Sequence, residues 1–222
     1  MNEIHSKSDS ASPLKEFFDK TKSEDKIFQS CEVSALIKPL VTDEQGNYVY
    51  DLSGLKKISV LGSKAIAITE NYFNLSNIKP FQWISVGSGG IICLSPEKIL
   101  IVNSFDGSLI EGFATSVRSI PDECIVQRAD YCEFAIKGAL VSRVLSELMP
   151  VSDSAWSHSG LICGLLANAN AILRKVNDRS DHVRCILQPA DSHYVFSTIL
   201  EISNEFNGQL GCMFSYLNYV DG

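Results

Sequence analysis

The sequence has no C-x-x-C pair, no excess of positive charge, and no run approaching the roughly 20 consecutive apolar residues that a membrane span requires. Without C-x-x-C, the seven cysteines (Cys31, Cys93, Cys124, Cys132, Cys163, Cys185 and Cys212) form neither a zinc knuckle nor a thioredoxin-like motif. Set in apolar or mixed segments, they read as buried, reduced thiols acting as small hydrophobes in a reducing compartment. With 19 Lys and Arg against 26 Asp and Glu, the net charge is -7, so the molecular field repels phosphate backbones and anionic lipid. Neither nucleic acid nor a membrane surface is expected as a partner. Met1 to Ser12 is polar, unlike the apolar centre of a signal peptide, and the chain reads as soluble and cytoplasmic. The Asn74-Leu75-Ser76 sequon is then silent.

Chemistry-bearing motifs are equally sparse. The four histidines, His5, His158, His182 and His193, share no metal-ligand spacing. The glycine cluster Val86-Gly87-Ser88-Gly89-Gly90 has Ile92 where a dinucleotide fingerprint needs its last glycine, and no Gly-Lys-Ser/Thr follows it. Val86 also stands where a nucleophile elbow needs its first glycine, so the cluster reads as a turn feeding a strand.

What is present is a chain 45% hydrophobic and 20% charged, enough for a real core, in which β and α patterns alternate. "KKISVL" (56–61) alternates like a half-buried strand, and Gly62-Ser63 offers a cap before a helix with Ala65, Ile66, Thr69, Tyr72 and Phe73 on one face. "ICLSPEKILIV" (92–102) places two apolar strands around a turn set by Pro96, and Gly107 to Ile120 forms a second amphipathic helix. The order then begins again: strand 131–136, Gly138, a helix over 139–149 ended by Pro150, three strands joined by short polar turns over 161–188, and a last helix capped by Pro189 to Ser192. The fold class expected is α+β, with two related layers of mixed β-sheet and helix. The divisions are a mobile tail 1–30, a first half 31–122, a second half 123–210 and a C-terminal tail 211–222. In the first tail, Phe17 and Phe18 are candidates for an arm that lies in a partner's groove.

Four acids lie near apolar segments, where burial could tune a catalyst. Glu97 belongs to the Pro96 turn with Ser95, Asp191 reads as an N-cap, and Glu133 alternates with Cys132 and Phe134 onto the exposed face of its strand. Asp130, beside Arg128 and Tyr131 at a strand entrance, is the one acid with polar and aromatic company, and an ordinary strand-end acid is the favoured reading. Trp83 and Trp156 fall in loops and suit core plugs or interface anchors, with Trp156 leaning to an interface.

Three segments carry a resemblance: "ICLSPEKILIV", "IVQRADYCEFAIKGALVSRVLSELMPVSDSAW" and "LQPADSHYVFSTIL". In order and spacing, the stretch from about Leu52 to Gly208 resembles the gamma subunit of heterotetrameric sarcosine oxidase, itself related in fold to the folate-binding domains of aminomethyltransferases. Ala129-Asp130-Tyr131 departs from that family's usual small-Asn-Arg, and the longer N-terminal extension is a further departure. The resemblance implies an accessory subunit without catalytic, cofactor-binding or metal residues of its own. FAD, FMN, NAD and tetrahydrofolate would then sit on partners, namely the large, middle and zinc-binding small subunits of a complex that demethylates sarcosine to glycine. The alternative is a free-standing folate-binding protein of the aminomethyltransferase kind, although the "KGCYxGQE" signature of one branch is absent.

Overall fold

The computed structural model describes residues 14, 17, 46–117, 124–149, 156, 160–176, 179–211, 213, 214, 216 and 217, and the backbone alone over 23–28, 31–36, 215 and 218–220. The chain runs β1 (Ser23–Phe28), β2 (Cys31–Leu36), β3 (Tyr48–Asp51), β4 (Lys57–Leu61), α1 (Ala65–Phe73), β5 (Gln82–Val86), β6 (Gly89–Ser95), β7 (Lys98–Val102) and α2 (Ser108–Val117). It continues β8 (Ile125–Arg128), β9 (Cys132–Lys137), α3 (Leu140–Leu148), β10 (Leu161–Leu166), β11 (Ala169–Val176), β12 (Arg179–Leu187), α4 (Pro189–Glu205), β13 (Gln209–Gly211) and α5 (Met213–Val220).

Two repeats emerge. The segments β4-α1-β5-β6-β7-α2 and β9-α3-β10-β11-β12-α4 have the same element order, and their strands lie in the same spatial order, β5-β6-β7-β4 and β10-β11-β12-β9. This is the doubled α+β architecture expected from the sequence. The sequence division at 122/123 does not follow the sheets, however. The strand leading into the first repeat, β3, pairs with β9 of the second, while the strand leading into the second, β8, pairs with β4 of the first. Parallel β13 then joins β3 to complete a mixed six-stranded sheet, against an all-antiparallel five-stranded one.

Each sheet is covered on both faces, which makes four layers. In the first, Ile91, Cys93, Ile99 and Ile101 point to α1 and α2 and meet Ala65, Ile110 and Phe113. The alternate residues Ile92, Leu100 and Val102 point to the other sheet and meet Leu161 and Ile186. In the second, Phe134, Ile136, Val183, Cys185 and Leu187 pack under α3 and α4 with Val144, Val195 and Ile199. A strand in such a stack has no solvent face, so "KKISVL" is buried nearly throughout rather than half-buried.

Turns follow the local chemistry. Ser95 and Lys98 pair across Pro96 and Glu97, the reversal expected from Pro96. Gly87, at φ 58, is the first central residue of the two-residue β5–β6 turn, so the glycine cluster is a hairpin turn. Gly138 turns β9 into α3 at φ 89, where a Cβ would stand 2.4 Å from the Gly46 carbonyl oxygen. Two helix starts differ from expectation: the N-cap positions are Lys64 in α1 and Gln188 in α4, neither with a side-chain cap bond. Pro189 opens α4 with its preset φ, which moves Asp191 into the first turn and out of the cap.

The terminal assignments also shift. β1 and β2 form an antiparallel hairpin that straddles the expected boundary at residue 30. Leu14 is fully buried, and Phe17 packs on Phe196 at 5.1 Å and His193 at 4.8 Å, so Phe17 belongs to this chain's own core and not to a partner's groove. Phe18 lies outside the described residues. Within the expected C-terminal tail, α5 buries Met213 and Tyr216 against Tyr48, Tyr50 and Leu52.

Candidate functional site: a charge cluster between the sheets

Between the two sheets lies a cluster of charged side chains that the strands themselves position. Lys57 on β4 and Glu133 on β9 hold the same place in the two repeats. Each lies five residues before the glycine, Gly62 or Gly138, that turns its strand into a helix. Each also accepts a backbone hydrogen bond from the strand exchanged in from the other repeat, Ala129 N–H to Lys57 O at 2.9 Å and Leu52 N–H to Glu133 O at 2.8 Å. These equivalent positions meet: Lys57 Nζ is 3.1 Å from Glu133 Oε2, and both side chains are wholly buried.

Arg184 on β12 completes the arrangement. Its Nε donates to Glu133 Oε1 at 2.5 Å, and its Nη2 forms an ion pair with the same oxygen. Lys57 Nζ also donates to the Leu55 carbonyl at 2.8 Å. Burial opposes ionisation of Glu133, but Arg184 and then Lys57 outweigh it and hold the carboxyl below the usual carboxylate range. Glu133 is therefore a buried, charged hub, the reverse of the exposed position that its neighbours suggested. The physical reason is the second sheet, which occupies the space that would otherwise be solvent.

Arg174 on β11 faces Arg184 directly across the ladder. Its guanidinium lies 4.0 Å from the centre of the Trp83 ring. Trp83 sits in β5, not in a loop; its ring packs over Gly90, where a Cβ would come within 2.2 Å, and its Nε1–H donates to Ser85 Oγ at 2.9 Å. His182, further along β12, is buried with Nε2 3.2 Å from the Tyr216 hydroxyl. Burial, reinforced by Arg184 and Arg174, lowers its pKa to about 3 and keeps the ring neutral.

The other singled-out residues are dispersed. Ser95 Oγ accepts from the Glu97 N–H within the Pro96 turn, at 3.3 Å. Asp130 forms an exposed pair with Arg128 at 2.6 Å. His193 is exposed beside Phe17, and His5 and His158 lie outside the described residues. Trp156 packs partly on the second repeat's core, with Lys175 Nζ 4.8 Å from its ring centre. Cys93, Cys132 and Cys185 are buried free thiols, and burial raises the pKa of each. Cys163 is exposed because β10 is the outer strand of its sheet, so it does not follow the expected pattern.

Beside the cluster, Tyr131 and Gln188 are shared by two clefts of about 300 Å³ each. One is polar, with Lys98, Arg128 and Asp130; the other is largely apolar, with Leu94, Ile172 and Ile186. Asp130 lies just before β9, as its place at a strand entrance suggested, and lines the polar cleft with its carboxylate paired to Arg128. Among the described residues no three His, Cys, Asp or Glu side chains gather in a way that could hold a metal ion, and no helix is long and apolar enough to cross a membrane. Sequence reasoning missed Lys57, Arg174 and Arg184. Their signal was charge in the middle of apolar strands on both repeats.

No protein-family model matches the sequence, and no curated protein matches it by sequence comparison. The fold is nevertheless shared with solved structures. Aminomethyltransferase T of the glycine cleavage system from Bartonella henselae superposes with a TM-score of 0.65 at 12% identity, over 91% of this chain. This chain spans 59% of the length of that protein. A chain of the heterotetrameric sarcosine oxidase from Corynebacterium sp. U-96, solved with pyrrole 2-carboxylate, superposes with a TM-score of 0.58 at 14% identity, over 75% of this chain and 88% of that one. At these identities the likeness establishes the fold: this chain has the α+β fold found in aminomethyltransferase T and in the sarcosine oxidase heterotetramer.

Proposed function

We propose that this chain is an accessory subunit of the gamma type in a sarcosine-oxidase-like amine oxidoreductase. The observation that carries the reading is the superposition over 88% of a chain of such a heterotetramer, together with the three sequence segments that resemble the gamma subunit. The central acid supports it. Glu133 is committed to Lys57 and Arg184, an arrangement that fixes two sheets against each other and keeps this carboxylate from being poised for proton transfer. In this reading flavins, NAD and tetrahydrofolate are carried by the large, middle and zinc-binding small subunits, and the complex is cytoplasmic. The test is affinity purification of the full-length chain from its native cells. Stoichiometric recovery of flavin-containing subunits with sarcosine-dependent peroxide production is expected; recovery of the chain without any flavoprotein would overturn the reading.

A second reading, a free-standing folate-binding protein, draws on the shared aminomethyltransferase fold and on the apolar cleft at Tyr131 and Gln188. Its volume is at the lower end of small-molecule sites, and the Gln188 and Asn170 amides could meet the polar edge of a heterocycle. Calorimetric titration of the isolated chain with tetrahydrofolate separates the two readings: saturable heat supports the second, and heat no greater than that of buffer dilution removes it.

A further inference from the structure

We propose that Arg174 is the anchor of an oxyanion-binding site in the layer between the sheets, built for a small carboxylate or phosphate. Arg174 is only 8% exposed, and its Nε has no hydrogen-bond partner. Its guanidinium lies over the ring of Trp83, 4.0 Å from the ring centre. The neighbouring Arg184 faces it across the ladder and, together with Lys57, already engages Glu133, so Arg174 is a third buried cation on a cluster with one acid.

That excess is costly without a ligand. Stacking on an indole offsets only part of what leaving an ion buried and unpaired costs. The fold does not need a cation here. The β11–β12 pair Arg174 and Arg184 corresponds to the β6–β7 pair Ile92 and Leu100 in the first repeat, and both of those residues are fully buried and apolar. An isoleucine therefore fills the equivalent place. A guanidinium seated over the Trp83 ring, with the ring itself fixed by Gly90 and Ser85, suits a ligand with two coplanar oxygens, a carboxylate or one face of a phosphate. Arg184 alongside adds to the positive field.

The site does not depend on the subunit reading, and its test uses the full chain. In a Trp156→Phe background Trp83 is the sole indole, so its emission reports on the stacked guanidinium. Titration with sodium acetate, and separately with inorganic phosphate, is compared with sodium chloride at equal ionic strength. A saturable change with acetate or phosphate, mutually competitive and absent with chloride, is expected. Arg174→Met should weaken it by at least about tenfold, and Arg174→Lys, which keeps the charge and loses the fork, should weaken it by less. Arg174→Met should also match or exceed the parent's thermal midpoint without added anion and gain nothing from acetate. Tighter acetate binding assigns the carboxylate class and tighter phosphate binding the phosphate class. Equal responses to chloride, or an unchanged titration in both variants, would overturn the site.

Discussion

Glu133 is the acceptor on which the inter-sheet layer depends, and the consequences of altering it follow from electrostatics. Removing the carboxylate leaves Lys57 and Arg184 buried without a counter-charge, since each lies within ion-pair distance of it and neither reaches solvent. Glu133→Gln should therefore lower stability by about 3–5 kcal/mol in chemical denaturation. Replacing the group together, as Lys57→Met, Glu133→Leu and Arg184→Met, should recover most of that loss, because an apolar set of similar volume carries no desolvation penalty. A triple variant as unstable as the single one would show that packing, not charge, sets the cost.

His182 gives the same layer a pH dependence. Its pKa falls from 6.5 in the unfolded chain to about 3 in the fold, so between those values the unfolded chain binds more protons. Stability from this residue is present above pH 6.5 and is lost as pH falls toward 3, by on the order of 4 kcal/mol at the acid end. Denaturation midpoints measured at intervals between pH 7 and pH 4 should fall more steeply for the parent than for His182→Gln. Parallel curves would remove His182 as the cause.

At the scale of elements, the strand-to-helix turns are the points least tolerant of change. Gly138 combines a left-handed φ with a carbonyl in the place of a side chain, so Gly138→Ala should cost about 1–3 kcal/mol or more, measured by thermal unfolding. The same turn is tied from outside, because Asn47 Oδ1 accepts from the Leu140 N–H at 3.0 Å and Asn47 Nδ2 donates to the Phe206 carbonyl at 3.1 Å. Asn47 thereby holds the start of α3 to the end of α4. Most elements were legible in the sequence, since period-3.6 stripes such as Val195-Ile199-Ile202 and punctuation by Pro96 and Gly138 act locally. The charge cluster was not. Alternation reports which residues share a face but not what covers that face, and Glu133 was placed outside because Cys132 and Phe134 were rightly placed inside. Register across strands brings Arg174 beside Arg184, and that pairing has no local sequence signature.

For the whole molecule the exchanged strands decide cooperativity. A cut between residues 122 and 123 leaves β3 on a fragment whose own sheet it does not join, and β8 likewise on the other. Separately produced fragments 1–122 and 123–222 should therefore fail to fold alone and should complement each other when co-expressed, as read by circular dichroism and co-elution. Either fragment giving a sharp unfolding transition alone would show that the repeats are independent. In the intact chain, indole fluorescence and far-ultraviolet circular dichroism should report one coincident transition.

The pairing of Lys57 with Glu133 also bears on descent. In a symmetric pair of identical repeats these two positions would hold the same residue, setting ammonium against ammonium or carboxylate against carboxylate, and the contact would repel. Opposite signs become available only once the two copies are encoded separately, so that each position changes by itself. The attraction across the sheets thus depends on the two repeats being different, so that each repeat supplies the charge the other lacks, as the two chains of a heterodimer do.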